Sequence, residues 1–419
     1  MNDESGIESL EDFCARAREW VTANLEPLNG ANRFMGHATD DADQAPRAKL
    51  IQRKHWDAGL AGLCYPREYG GQGLDPRYQA AFNEIVDGYE TPALFNTPTL
   101  SIILPTILQF GTEAQKQRYI PATLRGEYLW VQFLSEPSGG SDLAGVLTTA
   151  TRDGDSFILN GSKIWSTFAW KCDYALCVTR TNWDVPKHRG ISVFILAVHQ
   201  PGIEIQRIRQ VDGTEEFCQE FFDDVPVPED DLLGAVDDGW TVATALLAFE
   251  RGAVSGASPY VTGRSEDDAD SSGADLGELV RQAGAADDGN ARRLVGEALM
   301  LERVHDALVA RVIEAINMDV MPGPAGSILR LSQGVGTLRR SDIELELAGI
   351  ASLAWRPGES AARVGIAAVA RQGACLGGGS TEMARNLISE RVLGMPRERS
   401  DDLGRPFREV RTNSPSGAR

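Results

Sequence analysis

Residues 156–167 read Ser156-Phe157-Ile158-Leu159-Asn160-Gly161-Ser162-Lys163-Ile164-Trp165-Ser166-Thr167, and this stretch decides how the 419-residue chain is partitioned. Its apolar and polar residues follow a period of two, whereas to either side apolar residues recur at helical spacing. Asn160-Gly161 is the strongest short hairpin signal, because both residue types tolerate positive φ. The expectation is a hairpin with strands Ser156–Leu159 and Ser162–Trp165 about that turn. Tyr174–Val178, Ile191–Val198 and Ile203–Ile208 are further strand candidates, punctuated by Gly190, Pro201 and Gly202. Together they predict a β domain of roughly a hundred residues.

Toward the N-terminus, Leu10, Phe13, Ala17, Trp20, Val21 and Leu25 fall on one helical face. Tyr65 to Asp75 breaks the pattern with Pro66, Gly70, Gly71 and Gly73, a turn-rich loop. Helical spacing resumes through Ile102, Ile103, Ile107 and Leu108, and Thr112 is placed to cap a further helix. Beyond the β domain, Leu294, Ala298, Leu301, Val304, Leu308, Val312 and Ile316 make one long stripe, and Ile343, Leu347 and Ile350 another. Facing stripes of this kind predict a helix bundle. The acidic run from Ser265 to Asp275 is unpatterned and is expected to be a mobile loop. The fold class is therefore α+β, mostly α. Its expected divisions are an N-terminal helical domain over 1–128, a β domain over 129–236, and a helical C-terminal domain over 237–419 with the acidic loop at 264–276.

Composition narrows the function classes. Lys and Arg number 41 against 60 Asp and Glu, a net charge of −19. That argues against nucleic acid or an anionic membrane as the main partner, since both recruit basic patches. The N-terminus opens Met1-Asn2-Asp3-Glu4-Ser5, without an apolar signal core, and the longest apolar run, around Val242 to Phe249, is too short to span a membrane. A cytoplasmic location is expected. Six cysteines stand scattered without a CxxC pair, and five histidines without HxxxH or HxH spacing. The cysteines read as free thiols, and nothing predicts a metal centre.

Five ordered motifs carry more. Tyr69-Gly70-Gly71-Gln72-Gly73 is followed by Phe133-Leu134-Ser135-Glu136-Pro137-Ser138-Gly139-Gly140-Ser141-Asp142, and then by the Leu159 to Thr167 strand. Phe221-Phe222-Asp223-Asp224-Val225-Pro226-Val227-Pro228 precedes Gly239-Trp240. A last segment opens Gly377-Gly378-Gly379-Ser380-Thr381-Glu382-Met383 and closes Ser389-Glu390-Arg391-Val392-Leu393-Gly394. In this order they resemble the acyl-CoA dehydrogenase family, over nearly the whole chain. The acidic run and the Pro186-Lys187-His188 stretch resemble its actinobacterial branch. The resemblance implies a sandwich or barrel-like middle domain, a C-terminal four-helix bundle and a tetramer. It implies FAD between the β domain and the bundle, reaching in part to a neighbouring subunit. The implied reaction is α,β-dehydrogenation of an acyl-CoA thioester: a base removes the α-proton while the β-hydrogen leaves as hydride to flavin N5. Electron-transfer flavoprotein is the implied acceptor, and fatty-acid β-oxidation the implied setting.

A flavin needs a flat apolar wall, hydrogen bonds to its ring edge, and amides near its phosphates. Trp165 is an aromatic wall at a strand end, with Thr167 two residues on and so on the same face. Taken alone they read as a core Trp beside a strand Thr. By resemblance Trp165 packs on the isoalloxazine and Thr167 bonds near N5. Gln132, Leu134 and Ser135 match positions that hold the flavin ring, and Ser141 a position that contacts acyl-CoA. Gly377 to Gly379 lead a helix capped near Ser380, whose free N–H groups suit polar or anionic cofactor atoms. Glu382 matches a cofactor contact there. Arg281 matches a contact to the flavin diphosphate of a neighbouring subunit.

The base is the decisive residue. Many family members carry a Glu two residues before the Ser/Thr of the C-terminal glycine motif, where this chain has Gly378. Another branch places the base on a bundle helix, which corresponds to Glu250 in Ala248-Phe249-Glu250-Arg251-Gly252. Its apolar neighbours suit a partly buried carboxylate with a raised pKa. The plainer reading is a surface Glu paired with Arg251, and by resemblance Arg251 stands beside the substrate. Two alternatives stay open: a non-catalytic subunit of an unlike pair, and a flavin oxidase or monooxygenase on the same fold.

Overall fold

The computed structural model describes residues 8–28, 44–254, 258–262, 274–285, 287–354, 360–397, 399–400 and 402–410. All of the expected acidic loop except Ala274 and its neighbours to 276 lies outside them. In the N-terminal part, α1 (Leu10–Asn24) starts where the Ser9 hydroxyl accepts from the Asp12 amide at 3.2 Å. It is followed by α2 (Gln44–Asp57) and α3 (Pro76–Val86). Phe13, Ala17, Val21 and Leu25 are buried as the spacing predicts, against Ile51, Tyr78 and Phe82, with Trp20 partly buried beside them; Leu10, at the first position of the helix, is exposed. A helical run over 95–110 ends in α4 (Leu104–Phe110), and Thr112 opens α5 (Glu113–Leu124) in a reciprocal capping box with Gln115.

The β domain is one sheet. Its strands are β1 (Trp130–Phe133), β2 (Thr149–Asp153), β3 (Ser156–Thr167), β4 (Tyr174–Arg180), β5 (Ile191–Ala197), β6 (Ile203–Arg207), β7 (Phe217–Pro228) and β8 (Leu232–Leu233). They lie in the order β6-β7-β3-β2-β4-β5-β8, with β1 parallel to β4. The hairpin expected at Asn160-Gly161 is not there: Ser156–Thr167 is a single strand of 12 residues. The tight turn is Gly154-Asp155, between β2 and β3, with Gly154 at φ 59°. Asn160 spends its side chain on β7, donating to the Asp224 carboxylate at 3.0 Å and accepting from the Asp224 amide at 2.9 Å. Gly161, at φ 144°, sits where the β3–β7 register shifts, and a Cβ there would lie 2.7 Å from the Thr148 backbone. The pair serves a bulge, not a turn.

The C-terminal part holds α6 (Gly239–Val254), α7 (Leu276–Gln282), α8 (Gly289–Asn317), α9 (Gly326–Ala348), α10 (Ser360–Ala370) and α11 (Thr381–Leu387). Helix α9 is the hub, packing on α7, α8, α10 and α11 and touching α6. Leu294, Ala298, Ile343 and Leu347 meet in one core, and Val312 packs with Leu329 in another. The predicted stripes overreach at two points. Val304 is exposed, and Ile350 lies beyond the end of α9 at Gly349, in solvent. No described helix is long and apolar enough to cross a membrane. The chain then returns to the β domain: Phe407 stacks on Trp183 at 5.4 Å and covers the buried Arg180 guanidinium at 4.1 Å.

Candidate functional site

Trp165 is not a core residue. It is 55% exposed although it lies within β3, and its φ is 67°. A bulky residue in the left-handed region costs about 1–3 kcal/mol and persists only where its surroundings over-determine it. Here the cause is a second bulge, since the β3–β7 register skips between Ile164 and Ser166. The extra residue turns its ring outward, edge-on to Phe217 at 5.9 Å. Thr167 beside it is half-buried. An aromatic face is thus held open to solvent on strained backbone, as a stacking surface requires.

Next to this surface runs the segment after β1. The Ser135 carbonyl accepts from the Ile164 amide at 3.0 Å, which ties the segment to the residue before Trp165. The Leu134 carbonyl accepts from Lys163 Nζ at 3.0 Å. Lys163 is fully buried and pairs with Glu136 at 2.8 Å. Burial opposes ionisation of Glu136, yet the Lys163 ammonium and the Leu147 and Thr148 amides hold its carboxyl below the usual range. An ion pair so fully bonded fixes backbone, which is the use such pairs serve best. Leu134 and Ser135 therefore present their remaining groups from a rigid edge. Beyond them Gly139, Gly140 and Ser141 are exposed, and Asp142 is bridged to Lys187 at 2.8 Å.

Glu250 lies near the C-terminal end of α6. Gln132 Nε2 donates to its Oε2 at 3.4 Å, so α6 and β1 bring their two candidate residues together. Burial pushes the Glu250 carboxyl up, against the Gln132 bond and the charges of Arg251 and Arg330. The residue keeps an intermediate exposure, so the shift reflects crowding by protein on several sides with one side left open. Arg251 acts on Glu250 through charge, while the hydrogen bond comes from Gln132.

Arg330 and Glu220 are residues that the sequence reading missed. Arg330, on α9, donates to the Gly377 carbonyl at 2.6 Å and sits close enough to influence Glu250. It links the carboxylate to the glycine segment in which Gly378 and Gly379 have φ of 66° and 95°. Nothing local marks an Arg near the start of a helix for this; only the packing of α9 does. Glu220 on β7 is fully buried and accepts from the Ser166 hydroxyl. The available signal is a Glu between Cys218 and Phe222 at the alternating inward positions of the strand.

The remaining candidates stand apart. Ser380 caps α11 through the Met383 amide at 3.2 Å, as the motif predicts. Glu382 is exposed in its first turn, bonded to Thr381 and 3.5 Å from Arg385. Arg281 is exposed on α7 and pairs with Glu278 at 2.5 Å.

Residues 8–127 match the acyl-CoA dehydrogenase N-terminal domain, and residues 132–225 the acyl-CoA dehydrogenase middle domain. The acyl-CoA dehydrogenase IpdE1 of Mycobacterium tuberculosis is 32% identical, over 94% of this chain and 99% of its own. Among solved structures, one titled Tcur3481-Tcur3483 steroid ACAD shares the fold with a TM-score of 0.75 and 24% identity, covering 94% of this chain and 99% of its own. The ChsE4-ChsE5 complex from Mycobacterium tuberculosis matches with a TM-score of 0.69 and 26% identity, over 94% of this chain and 100% of its own.

Proposed function

The chain belongs to the acyl-CoA dehydrogenase family and is an enzyme of that class, and from this we propose that it desaturates an acyl-CoA thioester with Glu250 as base and FAD as oxidant. Family members are flavoproteins, and the residues present fit a flavin. Trp165 offers an exposed ring, Thr167 a neighbouring hydroxyl, and Gln132, Leu134 and Ser135 an edge braced by Lys163. Glu382 beside the Ser380 cap and Arg281 would complete the contacts, Arg281 toward the diphosphate from a neighbouring subunit. When bound, FAD supplies the acceptor for the β-hydride. Glu250 takes the α-proton, Gln132 holds the carboxylate in place, and Arg251 and Arg330 moderate its charge. Ser141 contacts the substrate from the exposed loop.

The observation that carries this reading is Glu250 itself: a crowded carboxylate with a raised pKa, hydrogen-bonded to a proposed flavin residue. Glu250→Gln tests it. The fold and the flavin should survive, and flavin reduction by a verified acyl-CoA should fall by about 10²-fold or more, the range for loss of a general base. Reduction at near-native rate would move the base elsewhere. Straight-chain, branched and steroid-bearing thioesters belong in the substrate panel. Reduction of electron-transfer flavoprotein without oxygen uptake separates a dehydrogenase from an oxidase. A second reading, one subunit of an unlike pair, draws on the two-component names of two structural neighbours. An intact Glu250 with its Gln132 bond favours the catalytic reading.

A further inference from the structure

Glu220 has no part in the chemistry above, yet it is fully buried and bonded to Ser166, the residue that follows the Trp165 bulge. In the β3–β7 register, Lys163 stands opposite Glu220, Ile164 opposite Gln219, and Ser166 opposite Cys218; Trp165 has no partner. The Ser166 side chain does not bond to its own register partner. It reaches back two positions along β7 to the Glu220 carboxylate. That bond spans the extra residue diagonally, like a stitch across a fold. Ser166 and Glu220 are both buried, so water offers no substitute partner on either side.

Lys163 does not neutralise Glu220 directly, since its ammonium bonds to Glu136 and to the Leu134 carbonyl. The second carboxylate oxygen of Glu220 is buried with no hydrogen-bond partner. A strand that needed only to pack would carry an apolar residue here, because a half-satisfied buried carboxylate destabilises. What the carboxylate does secure is the two-against-one register that brings Trp165 to positive φ. A one-residue slip would remove the bulge and send the neighbouring side chains to the opposite face.

The geometry points to Glu220 as a positioning residue: through Ser166 it locks the β3 bulge and thereby sets the aromatic platform on which the flavin stacks. This rests on the reading of Trp165 and Thr167 as flavin contacts. An amide oxygen accepts a hydroxyl proton as a carboxylate does, so Gln is the conservative replacement and Ala the disruptive one.

The test dilutes the holoprotein and measures released FAD by fluorescence for the native chain, Glu220→Gln, Glu220→Ala and Ser166→Ala. Both Ala variants should release FAD on the order of tenfold more readily, the effect of losing one buried hydrogen bond and leaving its partner unsatisfied. Glu220→Gln should retain most of the native affinity, a rescue that loss of a buried charge alone does not predict. Combining the two Ala changes should add nothing beyond either one. Native-like retention by Ser166→Ala, or Glu220→Gln as weak as Glu220→Ala, overturns the assignment. Should Glu220→Ala not fold, Ser166→Ala removes the same bond from the other side. Should the native chain hold no FAD at all, the functional reading fails, and the stitch is then judged by amide exchange at residues 164–167. Faster exchange in Ser166→Ala sustains it, and unchanged exchange overturns it.

Discussion

At the scale of single residues, the site is built from side chains held in costly states. Trp165 is exposed on positive φ, and Glu250 is an acid crowded by protein. Both costs carry predictions. Trp165→Ala should leave the fold in place and weaken flavin retention by roughly fivefold, since stacking on one ring face contributes of order 1 kcal/mol; equilibrium dialysis of FAD measures it. The pKa of Glu250 lies above the usual carboxylate range, and a base must be ionised to accept a proton. Flavin reduction should therefore rise with pH along an acidic limb displaced upward from that of an ordinary carboxylate. Stopped-flow reduction across pH should show this limb, and Glu250→Gln should abolish it. Returning the carboxylate to the other family position meets a backbone obstacle, because Gly378 is left-handed at φ 66°. In a Glu250→Gln background, Gly378→Glu should cost about 1 kcal/mol or more in stability, read by thermal melting.

At the scale of elements, what was legible in the sequence is what local chemistry decides. The caps at Thr112 and Ser380, the α1 core face and the strands β4, β5 and β6 came through, because each depends on residues within a turn or two. Asn160-Gly161 misled because the residues that use it, Asp224 and Thr148, come from elsewhere in the chain. The roles of Arg330 and Glu220 were hidden for the same reason, since both depend on which distant elements pack together. The β3–β7 pair also gives a pH prediction. Burial raises the Glu220 carboxyl to about 7 from its ordinary value of 4.5, opposed by Ser166 and the charge of Lys163. The groups acting on it are Lys163 from β3, Cys177 from β4 and Cys218 on its own strand. Between these two values the folded chain holds a proton that the unfolded chain has lost. Stability from this group is therefore complete below pH 4.5 and declines as pH rises toward 7. The loss is roughly 3 kcal/mol at 1.36 kcal/mol per pKa unit. Denaturant melts at several pH values should show a shallower decline for Glu220→Gln than for the native chain.

At the scale of the whole molecule, two features of the single chain point to an assembly. The first is apolar surface on the C-terminal helices. Leu299, Met300 and Val304 on α8, Val335 on α9, and Ile366 and Val369 on α10 are all exposed, with Ile350 and Leu353 beyond α9. Soluble chains seldom leave such patches uncovered, and burial returns about 25 cal/mol for each Å² of apolar area. The second is Arg281, an exposed side chain paired within α7 with Glu278, whose proposed flavin contact belongs to a neighbouring subunit. One assembly through the C-terminal helices would answer both, as a tetramer or at least a dimer. Light scattering at micromolar concentration should give a mass above that of one chain, and a monomer would defeat the proposal. Charge placed in the patch, as Met300→Glu with Val304→Glu, should shift the mass downward. It should also release FAD, because separating subunits withdraws Arg281 from its diphosphate. Arg281→Ala should release FAD without changing the mass. If the patch variants dissociate yet keep FAD at native affinity, Arg281 has no role across the interface. If the chain alone is insoluble or poor in flavin and recovers both with an unlike subunit, the assembly is a mixed one on this same face.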